Sequence, residues 1–167
     1  MKKQIVIVGT GGQGVLFVTR ALVETAFLSG YPVISSETHG MAMRGGSVFS
    51  QIKIGRYLSP AIEQGQADLL LGLTDQESGL YAYYLKPKGK KIINSKEEGK
   101  DRIDAQGLAK NMGLSRSGNM LFLGYAAKRS GLGFSLEKYV EAIIQLSPPK
   151  FQEENISAFK VGADLTV

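Results

Sequence analysis

The stretch Gly9-Thr10-Gly11-Gly12-Gln13-Gly14 constrains this chain more than any other. It follows an apolar run, Ile5-Val6-Ile7-Val8, and a helical pattern opens directly behind it at Val15. A strand that breaks into glycines and resumes as a helix leaves the first helical N–H groups without intrahelical acceptors. The macrodipole adds partial positive charge at the same place. Such a turn can cradle an anion. Gly9, Gly11 and Gly14 also fit the G-x-G-x-x-G spacing of dinucleotide-binding turns. A second reading stays open, in which the glycines simply let helix and strand pack closely.

Apolar residues cover most of the helix predicted over Val15–Ser29, and Gly30 supplies a left-handed stop before Tyr31-Pro32 turns the chain into a strand. The unit predicts a right-handed βαβ crossover. Residues Ser35 to Gly46 show no clear period and read as a long loop, followed by an alternating strand from Ser47 to Gly55. The continuous apolar run Ala67–Leu73 reads as a central parallel strand. Thr74 or Asp75 caps a helix expected to reach about Leu85, Lys86-Pro87-Lys88-Gly89 reads as a turn, and Lys90–Asn94 as a strand. Ile103-Asp104 is a last short strand. Helices are predicted over Ala105–Met112, over Ser117–Ser130, from Ser135 to Ser147, and from about Glu153 to Asp164. The expected fold is one α/β domain over residues 1–167, a three-layer sandwich. Its central sheet is mostly parallel, with helices on both faces and a Rossmann-like first βαβ unit.

The chain has no cysteine and a single histidine, His39. Disulfides, thiolate catalysis and cysteine-ligated zinc or iron–sulfur sites are therefore excluded within it. No metal site is expected. No apolar run approaches the roughly 20 residues of a membrane span, and Met1-Lys2-Lys3 leads straight into a strand rather than a signal peptide, so a cytoplasmic location is expected. A formal charge of +5 suits anionic ligands or an acidic partner and argues little for nucleic acid.

No nucleophile–base pair, metal cluster or carboxylate pair stands out, and no catalytic residue is assigned. The candidates for ligand contact are Gly9, Gly11, Gly12, Gln13 and Gly14, together with Glu37, Thr38, His39, Gly40, Arg44, Gly45 and Gly46 in the loop. Arg44, flanked by glycines, can clamp a phosphate or carboxylate bidentately or pin the loop through a salt bridge. His39 can contact a ligand or interface, hold the loop, or act as a base. Glu37 lies about 20 residues beyond the glycines, where a dinucleotide site places the acid that binds the ribose. A free-standing NAD- or flavin-binding protein is therefore the alternative reading. The lysines at 86, 88, 90 and 91 form either a phosphate-attracting patch or a solvated loop, and the apolar helix around Met120–Ala127 is either core or subunit interface.

The segments GTGGQGV, SSETHGMAMRGGSV, SPAIEQGQADLLLG and GNMLFLGYAA resemble the gamma-type subunit or domain of the 2-oxoacid:ferredoxin oxidoreductases. Within that family the likeness is greatest to the small subunit of the indolepyruvate branch. It runs through nearly the whole chain, including Asn155, Phe159 and Gly162 in the last helix. The resemblance implies a non-catalytic subunit of an enzyme that decarboxylates a 2-oxoacid, here an aryl pyruvate rather than pyruvate itself, with thiamine diphosphate. That enzyme passes electrons through 4Fe–4S clusters to ferredoxin and forms an acyl-coenzyme A. It implies a larger partner chain that carries the thiamine and the clusters. The glycine turn and the Glu37–Gly46 loop are then contacts at a shared coenzyme A or substrate approach. A homodimer is one arrangement open to the chain when it is alone.

Overall fold

The computed structural model describes residues 1–38 and 45–165. His39, Gly40 and Arg44 lie outside the described residues.

Alternation and β-branching build the sheet. β1 (Lys3–Thr10) is the hub, with Ile5, Val6, Ile7 and Val8 all fully buried. It is followed by α1 (Val15–Leu28), β2 (Val33–Thr38), β3 (Ser47–Ile54) and β4 (Ala67–Gly72). Next come α2 (Asp75–Leu80), a 3-10 turn at Ala82–Tyr84, β5 (Leu85–Asn94) and β6 (Arg102–Ile103). Four helices close the chain: α3 (Ala105–Asn111), α4 (Gly118–Arg129), α5 (Leu136–Leu146) and α6 (Pro149–Asp164). The six strands lie in the order β2-β3-β1-β4-β5-β6. Pairings from β1 through β4 and β5 to β6 are parallel, while β3 runs antiparallel to both β1 and β2.

The α/β class and the mostly parallel sheet match expectation, but the first unit is not a plain βαβ. β3 stands between β1 and β2. Residues 39–46 are too few for a crossover, which needs a dozen or more residues, so β3 can only return antiparallel. Smaller differences have local causes. β2 extends to Thr38, taking Ser35–Thr38 out of the expected loop, because those residues pair with β3. α2 stops at Leu80, since Tyr81 and Tyr84 turn aside to stack on Phe49. Lys86–Gly89 lies inside β5, where the pairing jumps from Ala67–Leu85 to Leu69–Lys90. Of those lysines, Lys86 pairs with Asp68 and Lys90 with Asp101 at 3.4 Å, so they do not form a free phosphate patch. α6 starts at Pro149, whose missing N–H costs nothing at a first helical position.

The two sheet faces are covered unequally. One packs Ile5, Ile7, Leu69 and Leu71 against α1, α3 and α4, with α5 and α6 behind them. Val6, Val8, Phe49 and Leu70 on the other face cluster with Ile62 and Ala67 and with the Tyr81, Tyr84 and Leu85 side chains among the described residues, beside the short helix α2. The Met120–Tyr125 part of α4 is buried within the chain and is core. α4 and α6 approach backbone to backbone, Gly124 facing the Phe159 carbonyl and Gly162 the Leu121 carbonyl.

Tyr139 lies at the centre of this helical core, its ring stacked 5.4 Å from Phe159. Burial pushes its hydroxyl far above the ordinary tyrosine range, offset in part by a hydrogen bond with Ser130. A phenol whose pKa is raised by folding contributes stability that is complete below its unfolded pKa, about 10, and is lost as pH rises above it. Between pH 10 and 11 the urea midpoint of the wild type should fall more steeply than that of Tyr139→Phe. The difference in slope is expected to approach ~1.4 kcal/mol per pH unit, the value for one proton. Parallel curves would disprove the assignment.

Candidate functional site

The glycines of the first turn divide into separate roles. At Gly9 a β-carbon would lie 2.7 Å from Val15 Cγ2 and 3.0 Å from Leu73 Cβ, so this glycine serves close packing. Gly12 (φ 90°) has open space around it, and Gly14 (φ 79°) caps α1 in the left-handed conformation. The turn is closed from within, because Gln13 Oε1 accepts from the Thr10 N–H at 2.8 Å and the Gln13 N–H donates to the Thr10 carbonyl at 3.2 Å. Gln13 thus spends its carbonyl on the turn. Gly11 N–H donates to the Gly46 carbonyl at 2.9 Å, tying the turn to the end of the expected contact loop.

That tie is reinforced from a third element. Ser47 donates to Glu77 Oε2 at 2.6 Å, and Glu77 is only 2% exposed. Thr74 Oγ1 accepts from the Glu77 N–H at 3.3 Å as the cap of α2. The Glu77 carboxylate reaches β3 and so joins α2 to the residues beside Gly46.

Glu37 and Thr38 do not join a common site. Glu37 is in register with Ser50 and, through it, Ile7 on the helix-covered face, while Thr38 is in register with Phe49 and Val8 on the other. The inserted β3 also sets Glu37 two strand spacings from β1, roughly 10 Å instead of about 5 Å. The ribose-binding geometry of a dinucleotide site is not formed by these residues.

A cavity of about 490 Å³ opens instead at the C-terminal ends of the parallel strands. Gly12, Gln13 and Gly14 form one side, Leu73 and Asn94 the floor beyond β4 and β5, and Gln106, Ser115, Arg116, Asn119 and Phe122 the far wall. This is where open α/β sheets bind ligands, between β1 and β4, whose outgoing connections lead toward opposite edges of the sheet. The starts of α1 and α4 both border it, and neither N-cap residue gives a side-chain cap bond, although Asn119 Oδ1 accepts from the Met120 N–H in the first turn of α4 at 3.0 Å. Ser117 is turned away from α4 and donates to Asn155 Oδ1 at 2.7 Å. The Asn119 Nδ2 group makes a long 3.5 Å bond to the Gly14 carbonyl across the mouth. Asn94 is held rigid, its Oδ1 accepting from Ala105 N–H at 2.8 Å and its Nδ2 donating to the Leu73 carbonyl at 3.3 Å.

The wall carries one guanidinium and no carboxylate, and two helix starts add partial positive charge. Such a site suits an anion. A smaller space of about 270 Å³ shares Arg116 and Asn119 with the cavity and is lined by Phe17, Phe151 and Pro148. The Arg116 guanidinium stands 5.6 Å from the Phe151 ring centroid, within cation–π range. Arg116 and Asn119 were not singled out as contacts from sequence. Their only signal is the polar Arg116-Ser117-Gly118-Asn119 string at the mouth of an otherwise apolar helix.

A family model described as pyruvate ferredoxin/flavodoxin oxidoreductase matches residues 4–165. The chain belongs to this family. It is a subunit of a 2-oxoacid:ferredoxin oxidoreductase complex. It is 31% identical to indolepyruvate oxidoreductase subunit IorB of Thermococcus kodakarensis over 95% of this chain and 93% of that one. The gamma subunit of a keto/oxoacid ferredoxin oxidoreductase from Geobacter sulfurreducens has a TM-score of 0.75 and 26% identity, covering 96% of this chain and 95% of that one. A longer chain shares the fold: 2-oxoglutarate:ferredoxin oxidoreductase from Magnetococcus marinus, solved with 2-oxoglutarate, coenzyme A and succinyl-CoA bound. The TM-score there is 0.80 at 17% identity, over 97% of this chain and 30% of that one. Among the described residues no group of three or more His, Cys, Asp or Glu could hold a metal ion, and no helix is long and apolar enough to cross a membrane.

Proposed function

We propose that this subunit serves an oxidoreductase of the indolepyruvate type, acting on an aryl pyruvate, and that its cavity beside Gly12–Gly14 receives part of coenzyme A. Thiamine diphosphate and the 4Fe–4S clusters belong to a larger partner subunit in this reading, which the absence of cysteine supports. Ferredoxin meets the assembled complex, and the assembly is cytoplasmic. The chain contributes contacts, not acid–base residues. Coenzyme A supplies the thiol that accepts the acyl group, and this chain's part is to hold the carrier's anionic end.

The observation that carries the reading is the convergence of two helix starts, whose N-cap residues give no side-chain bond, with Arg116 in a cavity whose lining has no carboxylate. Phosphates fit that chemistry. The adjoining space lined by Phe17 and Phe151 offers aromatic faces to a nucleobase. His39, Gly40 and Arg44 are retained as contacts, with Gly46 tied to the glycine turn through Gly11.

The test uses the complex reconstituted with its partner subunit. Arg116→Ala should raise the KM for coenzyme A at least tenfold, since a hydrogen bond to a charged group contributes about 1.5–3 kcal/mol. The KM for the 2-oxoacid should not move. An unchanged KM for coenzyme A would remove this site from the reading. The chain alone should show no 2-oxoacid-dependent viologen reduction, and the complex should prefer indolepyruvate or phenylpyruvate to pyruvate and 2-oxoglutarate in kcat/KM.

A further inference from the structure

Parallel strands are ordinarily buried on both faces by helices, because each face of such a sheet is apolar. Here all of α1 and α3–α6 pack into one core cluster, on one face. Among the described residues the opposite cluster, built on Val6, Val8, Phe49 and Leu70, is covered by a thin layer: the short helix α2, whose C-cap is Tyr81, the 55–66 connection with Ile62, and the Tyr81 and Tyr84 rings. The outer side of that layer is apolar. Leu58 is fully exposed, and Leu80 and Tyr83 are more than half and half exposed respectively. Tyr83 belongs to the same ring stack, 4.7 Å from Tyr84.

The rim of this surface is basic. Lys2 and Lys53 stand 5.5 and 5.1 Å from the Tyr57 ring centroid, beside Leu58. Arg56 is exposed next to them, and Lys91 is exposed in register with Leu70 on the same face. Of the nearby acids, Asp68 is already paired with Lys86, leaving Glu63. Two copies of the chain joined through this face would bring like charges together, and like charges across an interface are costly. The fold itself occurs as 30% of a longer chain in the Magnetococcus marinus enzyme, so it can be built against further protein.

We propose that the Leu58–Leu80–Tyr83 surface is the docking face for the larger partner subunit, which completes the thin cover of this side of the sheet through an apolar patch rimmed by aspartate and glutamate. This rests on the partner-subunit reading above. The helix-covered side, by contrast, already has its second and third layers.

The experiment is reconstitution of the complex with the larger subunit, with affinity read by titration and the contact face by hydrogen exchange. Leu58→Glu and Tyr83→Glu should each weaken assembly at least tenfold, central aromatic and aliphatic anchors being the usual hot spots of an interface. Phe27→Glu, at an exposed position on α1, should leave it unchanged. Raising salt should weaken the wild-type complex and leave a Lys53→Glu, Lys91→Glu variant less salt-sensitive. Melting curves of Leu58→Glu should match wild type, since its side chain touches solvent only. Wild-type affinity in both Leu58→Glu and Tyr83→Glu overturns the proposal, as does loss of affinity in Phe27→Glu alone. A homodimer broken by Leu58→Glu while the heteromeric complex survives would assign the face to a second copy instead. If the wild-type chain does not assemble with a larger subunit at all, the partner reading fails and the docking face with it.

Discussion

Gly124→Ala should lower the stability of the chain by about 3–5 kcal/mol, as large an effect as one added methyl group is expected to have. Overpacking usually costs about 1–3 kcal/mol because neighbouring side chains shift. No side chain can shift here: the new β-carbon would overlap the Phe159 carbonyl oxygen and press on the Ala163 nitrogen at 2.9 Å. α4 and α6 would have to separate, loosening Phe122, Tyr125 and Phe159 together. A domain with roughly 5–15 kcal/mol in total has little left after that. The thermal midpoint should fall by about 10 °C, at roughly 2–4 °C per kcal/mol for a chain of this size. Gly79→Ala is the control, since nothing lies within 4 Å of its added carbon and its φ is not positive. It should stabilise slightly, by about 0.4–1 kcal/mol. Equal melting curves for Gly124→Ala and wild type would refute the close helix contact.

Gly14→Ala should have the largest effect on the assembled enzyme's use of coenzyme A. Its β-carbon would collide with Asn119 Nδ2, so the amide must shift at the wall that the two cavities share. A left-handed alanine adds about 1–2 kcal/mol of strain. The KM for coenzyme A should rise more than tenfold, with the 2-oxoacid KM unaffected. Gly12→Ala separates strain from obstruction, having φ 90° but open space. It should destabilise the chain comparably and leave the coenzyme A KM within about threefold of wild type. Adding Asn119→Ala to Gly14→Ala should restore part of the loss. If both glycine variants raise the KM equally, obstruction of the cavity is not the cause.

What could be read along the chain is what local chemistry decides. The start of α1 after Gly14, its stop at Gly30 and the buried run of β4 all rest on neighbours within a few positions. The place of β3 depends on a longer-range fact, that residues 39–46 cannot hold a crossover helix. That shortness is legible in the sequence, but it acts on strand order, whereas the loop's mixed composition speaks only of contacts. Tyr81 and Tyr84 fit a helical pattern until their partner Phe49, far away in the chain, takes them. The site shows the same division. The glycine turn was plain, whereas Arg116 and Asn119 reach it from about a hundred residues later, and no periodicity links them to Gly14. The family resemblance reached further than periodicity could, because it carries tertiary information in its motifs.

The strand order has a consequence for how the chain leaves the ribosome. β1, α1, β2 and β3 lie within the first third of the polypeptide and make one paired half-sheet among themselves. β4, β5 and β6 then attach one beyond another, in the order of their synthesis, each to an edge that is already in place. No strand has to be threaded between two others after the first half forms. The contact between α4 and α6 must wait for α6 to emerge, since Gly124 meets the Phe159 carbonyl and Gly162 the Leu121 carbonyl. A ribosome-bound nascent chain would therefore hold an ordered sheet over an open helical core, with the Gly124 seam as its final lock.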